Sequence, residues 1–272
     1  MITAGTRVAA VIGSPVRHSL SPALHNAAFT QLGIDWVYLA FEVEAGRAPA
    51  ALDAMRVLGI AGLSVTMPHK EAVAAAVDAL DPAAAALRSV NTVVAHPDGR
   101  LIGYSTDGDG LIASLHAAGI AVAGRETCVL GGGGAARAIC EALGRAGAAR
   151  VAVVNRTAAA AEAAAALAVS NGLLVGSVGA AHDIADAEIV INATSVGMAT
   201  SELPCDPSLL HAGQVVADIV YHPRETALLL AAHAVGAITV AGLGMLVHQA
   251  ALQQQLWHGA MPDVAVMSAA VA

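Results

Sequence analysis

Apolar residues in this chain come in two rhythms. From residue 127 onward, continuous apolar runs lie near 127–130, 150–154, 173–176, 188–192, 214–220 and 237–241. Helical stretches at 135–146, 158–169 and 226–235 separate most of them. Short runs without alternation suit strands buried on both faces, so this half predicts a doubly wound parallel α/β sheet. Before residue 127 the pattern is mixed. Thr6–Ile12 and Ile60–Val65 read as buried strands, and Asp35–Val43 alternates as a half-buried strand does. Helices are predicted from Ser21 to about Leu32, over Pro49–Leu58, from Lys70 through Val73 and Val77 to Leu80, and briefly after Asp81-Pro82. Val90–His96 and Arg100–Tyr104 flank Pro97-Asp98-Gly99 as a hairpin. A helix then runs through Leu111, Leu115 and Ala118. The alanine blocks at 158–168 and 83–86 are helix formers. The last amphipathic segment, Met245–Trp257, is not needed by the second sheet and is expected to return to the first domain.

One segment imitates a membrane span. Ala227–Val247 is 21 residues long, and only His233 and Thr239 are plainly polar. Gly236, Gly242 and Gly244 divide it into helix, short strand and turn, which favours a buried α/β core. The N-terminal run meets Gly13-Ser14-Pro15 without the order of a signal peptide. A formal net charge of −8 without a Lys/Arg cluster argues against nucleic acid or an anionic membrane as a partner. Cys128, Cys140 and Cys205 form no C-x-x-C pair and give neither a disulfide framework nor a metal site. They suit a reducing cytoplasm.

The sharpest chemical signal is Thr127–Leu130 followed by Gly131-Gly132-Gly133-Gly134-Ala135-Ala136. A strand that ends in glycines and opens into a helix lets a pyrophosphate approach backbone N–H groups at the helix N-terminus. The small Ala136 allows close packing of helix on strand. After the next strand stands Asn155-Arg156-Thr157, where a dinucleotide fold that prefers NAD carries an acid. An uncharged residue followed by arginine suits the extra phosphate of NADP instead.

Elsewhere the chemistry is less specific. Ser21 before Pro22 reads as a helix N-cap, which leaves Ser19 unexplained; the two hydroxyls could also hold a carboxylate. Lys70 in a first helical turn opposes the helix dipole, so it is either a solvated lysine or a site residue. Asp107 reads as an N-cap, which does not exclude a chemical role.

Together these segments resemble the shikimate dehydrogenase family. The matching pieces are Gly13-x-Pro15-x-x-His18-Ser19-x-Ser21-Pro22, Val65-Thr66-x-Pro68-x-Lys70, Val90-Asn91-Thr92 and Gly103-x-x-Thr106-Asp107-Gly108. They continue through the glycine turn, Asn155-Arg156-Thr157, Ile191-Asn192-Ala193-Thr194-Ser195-x-Gly197-Met198 and Asp218-x-x-Tyr221-x-Pro223. Gly242-Leu243-Gly244-Met245-Leu246-Val247-x-Gln249-Ala250 completes the set. The resemblance implies an α/β substrate domain over 1–106 and 243–272, with a Rossmann-type NADP domain over 107–242. It implies reversible NADPH-dependent reduction of 3-dehydroshikimate to shikimate, in the cytoplasm, with no metal; a homodimer is left open. Ser19 and Ser21 would bind the substrate carboxylate, and Thr66, Asn91, Asp107, Tyr221 and Gln249 the ring and its hydroxyls. Lys70 would be the acid/base, acting with Asp107. Gly131, Gly132, Gly133, Gly134, Ala135, Asn155, Arg156, Thr157, Thr194, Ser195, Ile219 and Gly242 would contact the cofactor.

The chain departs from the family at several points. Ser64 and Ser105 replace asparagines, and Ala160 falls where a second basic residue often supports the NADP phosphate. Ala241 replaces an Asp or Asn, and Gln254 a phenylalanine. Competing readings are a quinate/shikimate dehydrogenase that uses NAD, an aminoshikimate-type paralogue, and a non-catalytic NADP-binding sensor on the same fold.

Overall fold

The computed structural model describes residues 2–271. The outermost positions of the expected first domain, Met1 and Ala272, lie outside the described residues. The chain forms two compact units, Met1–Thr106 with Val247–Ala272, and Asp107–Leu246.

The first unit begins with β1 (Arg7–Gly13), α1 (Ser21–Leu32), β2 (Trp36–Glu42), α2 (Ala48–Leu58) and β3 (Gly62–Val65). It continues with α3 (Lys70–Ala74), β4 (Ala79–Leu80), α4 (Pro82–Leu87), β5 (Thr92–Ala95) and β6 (Leu101–Tyr104). Among the described residues its sheet runs β2-β1-β3-β5-β6-β4. β1 pairs in parallel with β2 and β3, while β5 is antiparallel to β3 and β6. Alternate residues of β1 face opposite cores. Ala10 and Ile12 pack with Leu52, Met55 and Leu63, whereas Ala9 and Val11 pack with Phe29, Tyr38 and Trp257.

Local chemistry corrects two expectations here. Ser21 is the first residue of α1 and not its N-cap; Leu20 flanks the helix, with no side-chain cap. The Ser19 hydroxyl oxygen instead accepts the Ser21 backbone N–H at 3.2 Å, so the loop before the helix supplies one orphan donor's partner. The helix at Lys70 stops at Ala74, and Ala79–Leu80 leaves it to pair with β6. Asp81 does cap α4, its carboxylate accepting Ala84 N–H at 2.8 Å.

The second unit holds α5 (Asp107–Ala117), β7 (Glu126–Leu130), α6 (Gly134–Arg145), β8 (Arg150–Val154) and α7 (Ala158–Ala165). There follow β9 (Val169–Ser170), β10 (Leu173–Leu174), β11 (Gly176–Val178), α8 (Ala181–Asp186), β12 (Ile189–Asn192), β13 (Val215–Asp218), α9 (Ala227–Ala234) and β14 (Ile238–Val240). Its main sheet has the order β11-β8-β7-β12-β13-β14, and every pairing in it is parallel. This is the doubly wound sheet that the apolar runs predict. β7 is buried on both faces, Val129 in one cluster and Cys128 with Leu130 in the other. Asp107 is the first residue of α5 and does not precede it. The run at 173–176 is not a sheet strand: Leu173 and Leu174 pair with Val169–Ser170 in a small exposed hairpin, and the sheet takes Gly176–Val178.

The chain ends in α10 (Gly242–His258) and α11 (Val264–Ala269). From Val247 onward these residues belong to the first unit. Trp257 fits against Gly62, where any Cβ would collide with the indole, and its Nε1–H donates to Val93 O at 3.1 Å. Gln254, fully buried, donates to His25 Nδ1 at 3.1 Å and to His25 O at 3.2 Å. An amide thus holds α10 to α1. Ala227–Val247 is divided among α9, β14 and the start of α10, and no described helix is long and apolar enough to cross a membrane.

Candidate active site

In the first unit, the candidate substrate residues gather at one end of the sheet. Ser19 and Ser21 follow β1, Thr66 and Lys70 follow β3, and Asn91 precedes β5. Gln249 stands on α10. Backbone bonds pin the loops that carry them. Thr66 N–H donates to Ile12 O at 3.0 Å, Ser14 N–H to Met67 O at 3.0 Å, and Val90 N–H to Lys70 O at 3.0 Å. The buried His69 ring, through Nε2 and Val43 O at 2.7 Å, fixes the turn just before Lys70. Lys70 itself is half-buried.

Asn91 is held by a network of hydrogen bonds. Its Oδ1 accepts Thr106 N–H at 2.9 Å and the Thr92 hydroxyl at 2.8 Å, while Nδ2 donates to Thr106 Oγ1 at 3.0 Å. Thr106 Oγ1 also lies 3.3 Å from Gln249 O. Thr106 therefore links Asn91 to α10. A second connection had no signal in local pattern. Tyr38 Oη donates to Ser64 Oγ at 2.6 Å, Ser64 Oγ donates to Gln253 Oε1 at 2.6 Å, and Gln253 Nε2 lies 3.4 Å from Asn91 O. Lys70 also carries a countable signal: it is the only lysine among 13 Lys and Arg residues.

Asp107 and Tyr221 lie in the second unit. Asp107 opens α5, and Tyr221 follows β13. The remaining candidates follow the carboxyl ends of adjacent strands: the glycine turn after β7, Asn155-Arg156-Thr157 after β8, Thr194 and Ser195 after β12, and Ile219 after β13. Register confirms the neighbourhood, since Leu130 is level with Val154 on one side and Asn192 on the other, and Asn192 with Asp218. The connection from β7 leads to β8 on one side while β12 lies on the other, which makes this the switch point where open sheets hold ligands.

The four glycines divide into two kinds. Gly131 has φ +118°, and a Cβ on it would press on Ala193 O and the Thr194 side chain at 3.0–3.2 Å; one on Gly132 would meet the Ala160 backbone at 2.8 Å. Those two are small because protein lies against them. Gly133 and Gly134 are exposed, and a Cβ there meets nothing within 4 Å. Their lack of side chain leaves open the approach to the N-terminus of α6, a cradle that Cβ atoms would fill. That arrangement fits a dinucleotide pyrophosphate. Arg156 is exposed beside it, and Asn155 Nδ2 donates to Thr157 O at 3.0 Å to hold the turn.

Behind these loops sits buried Asp218. It accepts from Asn192 Nδ2 at 2.9 Å, Val220 N–H at 3.0 Å and the Thr226 hydroxyl at 2.7 Å. Burial raises its carboxyl above the ordinary range, and those three donors oppose the rise. Asn192 Oδ1 in turn accepts the Thr194 N–H at 3.1 Å and hydroxyl at 2.7 Å. One carboxylate thus orders the loops of Thr194 and Tyr221 together.

The family pattern described as Shikimate dehydrogenase substrate binding domain matches residues 11–93, and that of the Shikimate 5'-dehydrogenase C-terminal domain matches 242–272. A protein of Moorella thermoacetica, named shikimate dehydrogenase (NADP(+)), is 43% identical over 98% of this chain and 92% of its own length. The chain belongs to the shikimate dehydrogenase family. Among solved members of similar fold is shikimate 5-dehydrogenase from Thermus thermophilus, in complex with NADP(H) and shikimate. It is 36% identical with a TM-score of 0.89, covering 97% of this chain and 98% of that one. Quinate dehydrogenase from Corynebacterium glutamicum, in complex with NAD, is 32% identical with a TM-score of 0.88, covering 98% of each chain. This shikimate dehydrogenase family member therefore has structural likeness to proteins of two substrate names.

Proposed function

We propose that the chain is an NADP-dependent shikimate dehydrogenase, interconverting 3-dehydroshikimate and shikimate. The observation that carries this reading is the placement of the only lysine, Lys70, at the sheet end where Ser19, Ser21, Thr66, Asn91 and Gln249 also gather. A chain that otherwise uses arginine for positive charge keeps one amine there. A guanidinium does not release its proton in proteins, whereas an ammonium does.

In this reading Ser19 and Ser21 receive the substrate carboxylate. The Ser19 oxygen accepts the Ser21 amide, so its own hydrogen is the one to offer a carboxylate. Thr66, Asn91, Tyr221 and Gln249 orient the ring through its hydroxyls. When bound, NADPH supplies the hydride. Lys70 gives its proton to the oxygen that becomes the hydroxyl and its charge to that oxygen as it turns negative; in the reverse direction it takes the proton back. Asp107 acts with Lys70 on that oxygen. The glycine cradle at 131–134 with Ala135 would hold the pyrophosphate, and Asn155, Arg156 and Thr157 the extra phosphate. Thr194, Ser195, Ile219 and Gly242 would line the nicotinamide side.

The same reading assigns the substrate domain to 1–106 with 243–272 and the NADP domain to 107–242. It places the reaction in the cytoplasm, on the route through chorismate to aromatic amino acids. It leaves a homodimer to be tested by light scattering, and the net charge of −8 supports no role for nucleic acid. Ala160 favours a second reading, a quinate/shikimate enzyme that accepts NAD, because it leaves the phosphate site with fewer cations. Shikimate and quinate, each with NADP and NAD, followed by the absorbance of reduced coenzyme, separate the two. Turnover fastest with shikimate and NADP supports the main reading. Comparable rates with quinate and NAD support the second. NADPH binding without turnover on any ring substrate would leave a sensor.

A further inference from the structure

The inner face of α10 carries Gln249, Gln253 and Trp257 at intervals of one turn, all at most 9% exposed. The last two donate to β5 and its leading residue: Gln253 Nε2 toward Asn91 O at 3.4 Å, and Trp257 Nε1 to Val93 O at 3.1 Å. The spacings match. Four residues of helix advance about 6 Å, and two residues of strand about 6.7 Å. Side chains one turn apart therefore meet successive carbonyls on the same side of the strand, which fixes the axial position of the helix. Gly62 deepens the lower rung, since the Trp257 indole occupies the place of its Cβ.

The upper rung has a fixed polarity. Gln253 turns its amide nitrogen to a carbonyl, so its Oε1 faces Ser64 and must accept. Ser64 spends its one hydrogen there, and Tyr38 spends its own on Ser64. All three side chains are buried, at 1% for Tyr38, 6% for Ser64 and 2% for Gln253. Buried hydrogen bonds with one permitted direction resist sliding, because a shifted helix would leave an unpaired hydroxyl or amide. The serine at 64 is what gives this chain the arrangement; a hydroxyl is short enough to lie between Tyr38 and Gln253.

We infer that Gln253 is a positioning residue for substrate binding: held by Ser64 and Asn91, it sets the register of α10 so that Gln249, one turn earlier, stands level with Asn91 and Thr106. The Thr106 hydroxyl, 3.3 Å from Gln249 O, marks that level. This inference rests on the reading of Gln249 as a ring-binding residue.

The test is a two-residue cycle in the full chain, with shikimate and NADP as substrates. Gln253→Met keeps the length of the side chain and removes both polar atoms. It raises KM for shikimate about tenfold with kcat within about twofold and KM for NADP unchanged, as expected for lost ground-state positioning. Gln249→Ala raises KM as well. In the Gln249→Ala background, Gln253→Met adds little further to KM, because the residue it positions is gone; its effect on Tm persists in both backgrounds. A KM rise that is as large without Gln249 would overturn the inference, as would an unchanged KM in Gln253→Met when Gln249→Ala does raise it. An unchanged KM in Gln249→Ala would remove the underlying reading instead. If Gln253→Met does not fold, Ser64→Ala carries the same cycle, with a smaller KM rise that must also vanish in the Gln249→Ala background.

Discussion

Lys70 is one amine in a chain whose other basic side chains, apart from histidine, are arginines. Composition of that kind argues chemistry, since a position that needed only positive charge would be served by arginine. Lys70→Arg keeps the charge and Lys70→Met keeps the stem; both are expected to lower turnover by about a hundredfold or more, because neither group releases a proton. NADPH affinity, measured by fluorescence, stays near normal in both. Near-normal turnover in Lys70→Met would take the lysine out of the mechanism. If Asp107 works with Lys70, the Asp107→Asn and Lys70→Met double variant loses much less than the product of the single losses. Arg156 makes a separate claim on the cofactor. Arg156→Ala is expected to cost NADPH about 1.5–3 kcal/mol, roughly ten- to hundredfold in affinity, and NADH far less. Equal losses would give Arg156 a structural role only. Lys70, Arg156 and the glycines stand out in the sequence because each is a residue type with its own chemistry at a local position. Gln253 does not, since its meaning comes from Ser64, 189 positions away.

Among elements, those that the apolar pattern placed well are long or buried on both faces. β1, β7, β8 and β12 lie within a residue or two of their apolar runs. The failures are short elements whose state is decided by what they pack against. Ala79–Leu80 has helical spacing with Val73, yet pairs with β6 as two strand residues. Leu173 and Leu174 look like sheet core but are 71% and 63% exposed. The sheet begins instead at Gly176, where a Cβ would collide with the backbone of Ala165 at the end of α7. No local propensity contains that contact. The start of α1 gives a prediction at this scale. Ser19, not Ser21, supplies the oxygen that an orphan N–H of the helix needs. Ser19→Ala is therefore expected to do two things: cost roughly 0.5–1.5 kcal/mol of stability as a lost hydrogen bond at the helix start, and raise KM for shikimate. Ser21→Ala should raise KM without the loss of a cap. Denaturant melts and initial rates on both variants check this, and an unchanged KM in Ser19→Ala would withdraw the carboxylate role.

At the scale of the whole molecule, polar groups folded into apolar surroundings contribute to how stability changes in acid. His25 is the clearest case. It is fully buried, stacked on Tyr38 with ring centroids 4.1 Å apart, and its Nδ1 accepts from Gln254 at 3.1 Å. Burial holds its pKa down at about 3, with the nearby His258 adding to the effect. In the unfolded chain the same group titrates near 6.5. Between those values the unfolded state binds a proton that the folded state refuses, so stability falls as the pH falls. The contribution is complete above about pH 6.5 and declines below it by up to about 1.4 kcal/mol per pH unit. His258, also lowered by burial, steepens the same limb. Asp218 acts in the opposite sense: its raised carboxyl gains its proton more readily when folded, which offsets part of the loss as the pH nears the carboxylate range. His25→Phe keeps a ring on Tyr38 and removes the titrating group. Whatever its stability at neutral pH, its unfolding free energy should change less between pH 6.5 and 5 than that of the parent chain, by close to one proton's linkage. Urea melts read by tryptophan fluorescence suit the measurement, because both tryptophans, Trp36 and Trp257, pack in the cluster that surrounds His25. Parallel pH profiles for the two proteins would assign the acid sensitivity to other groups.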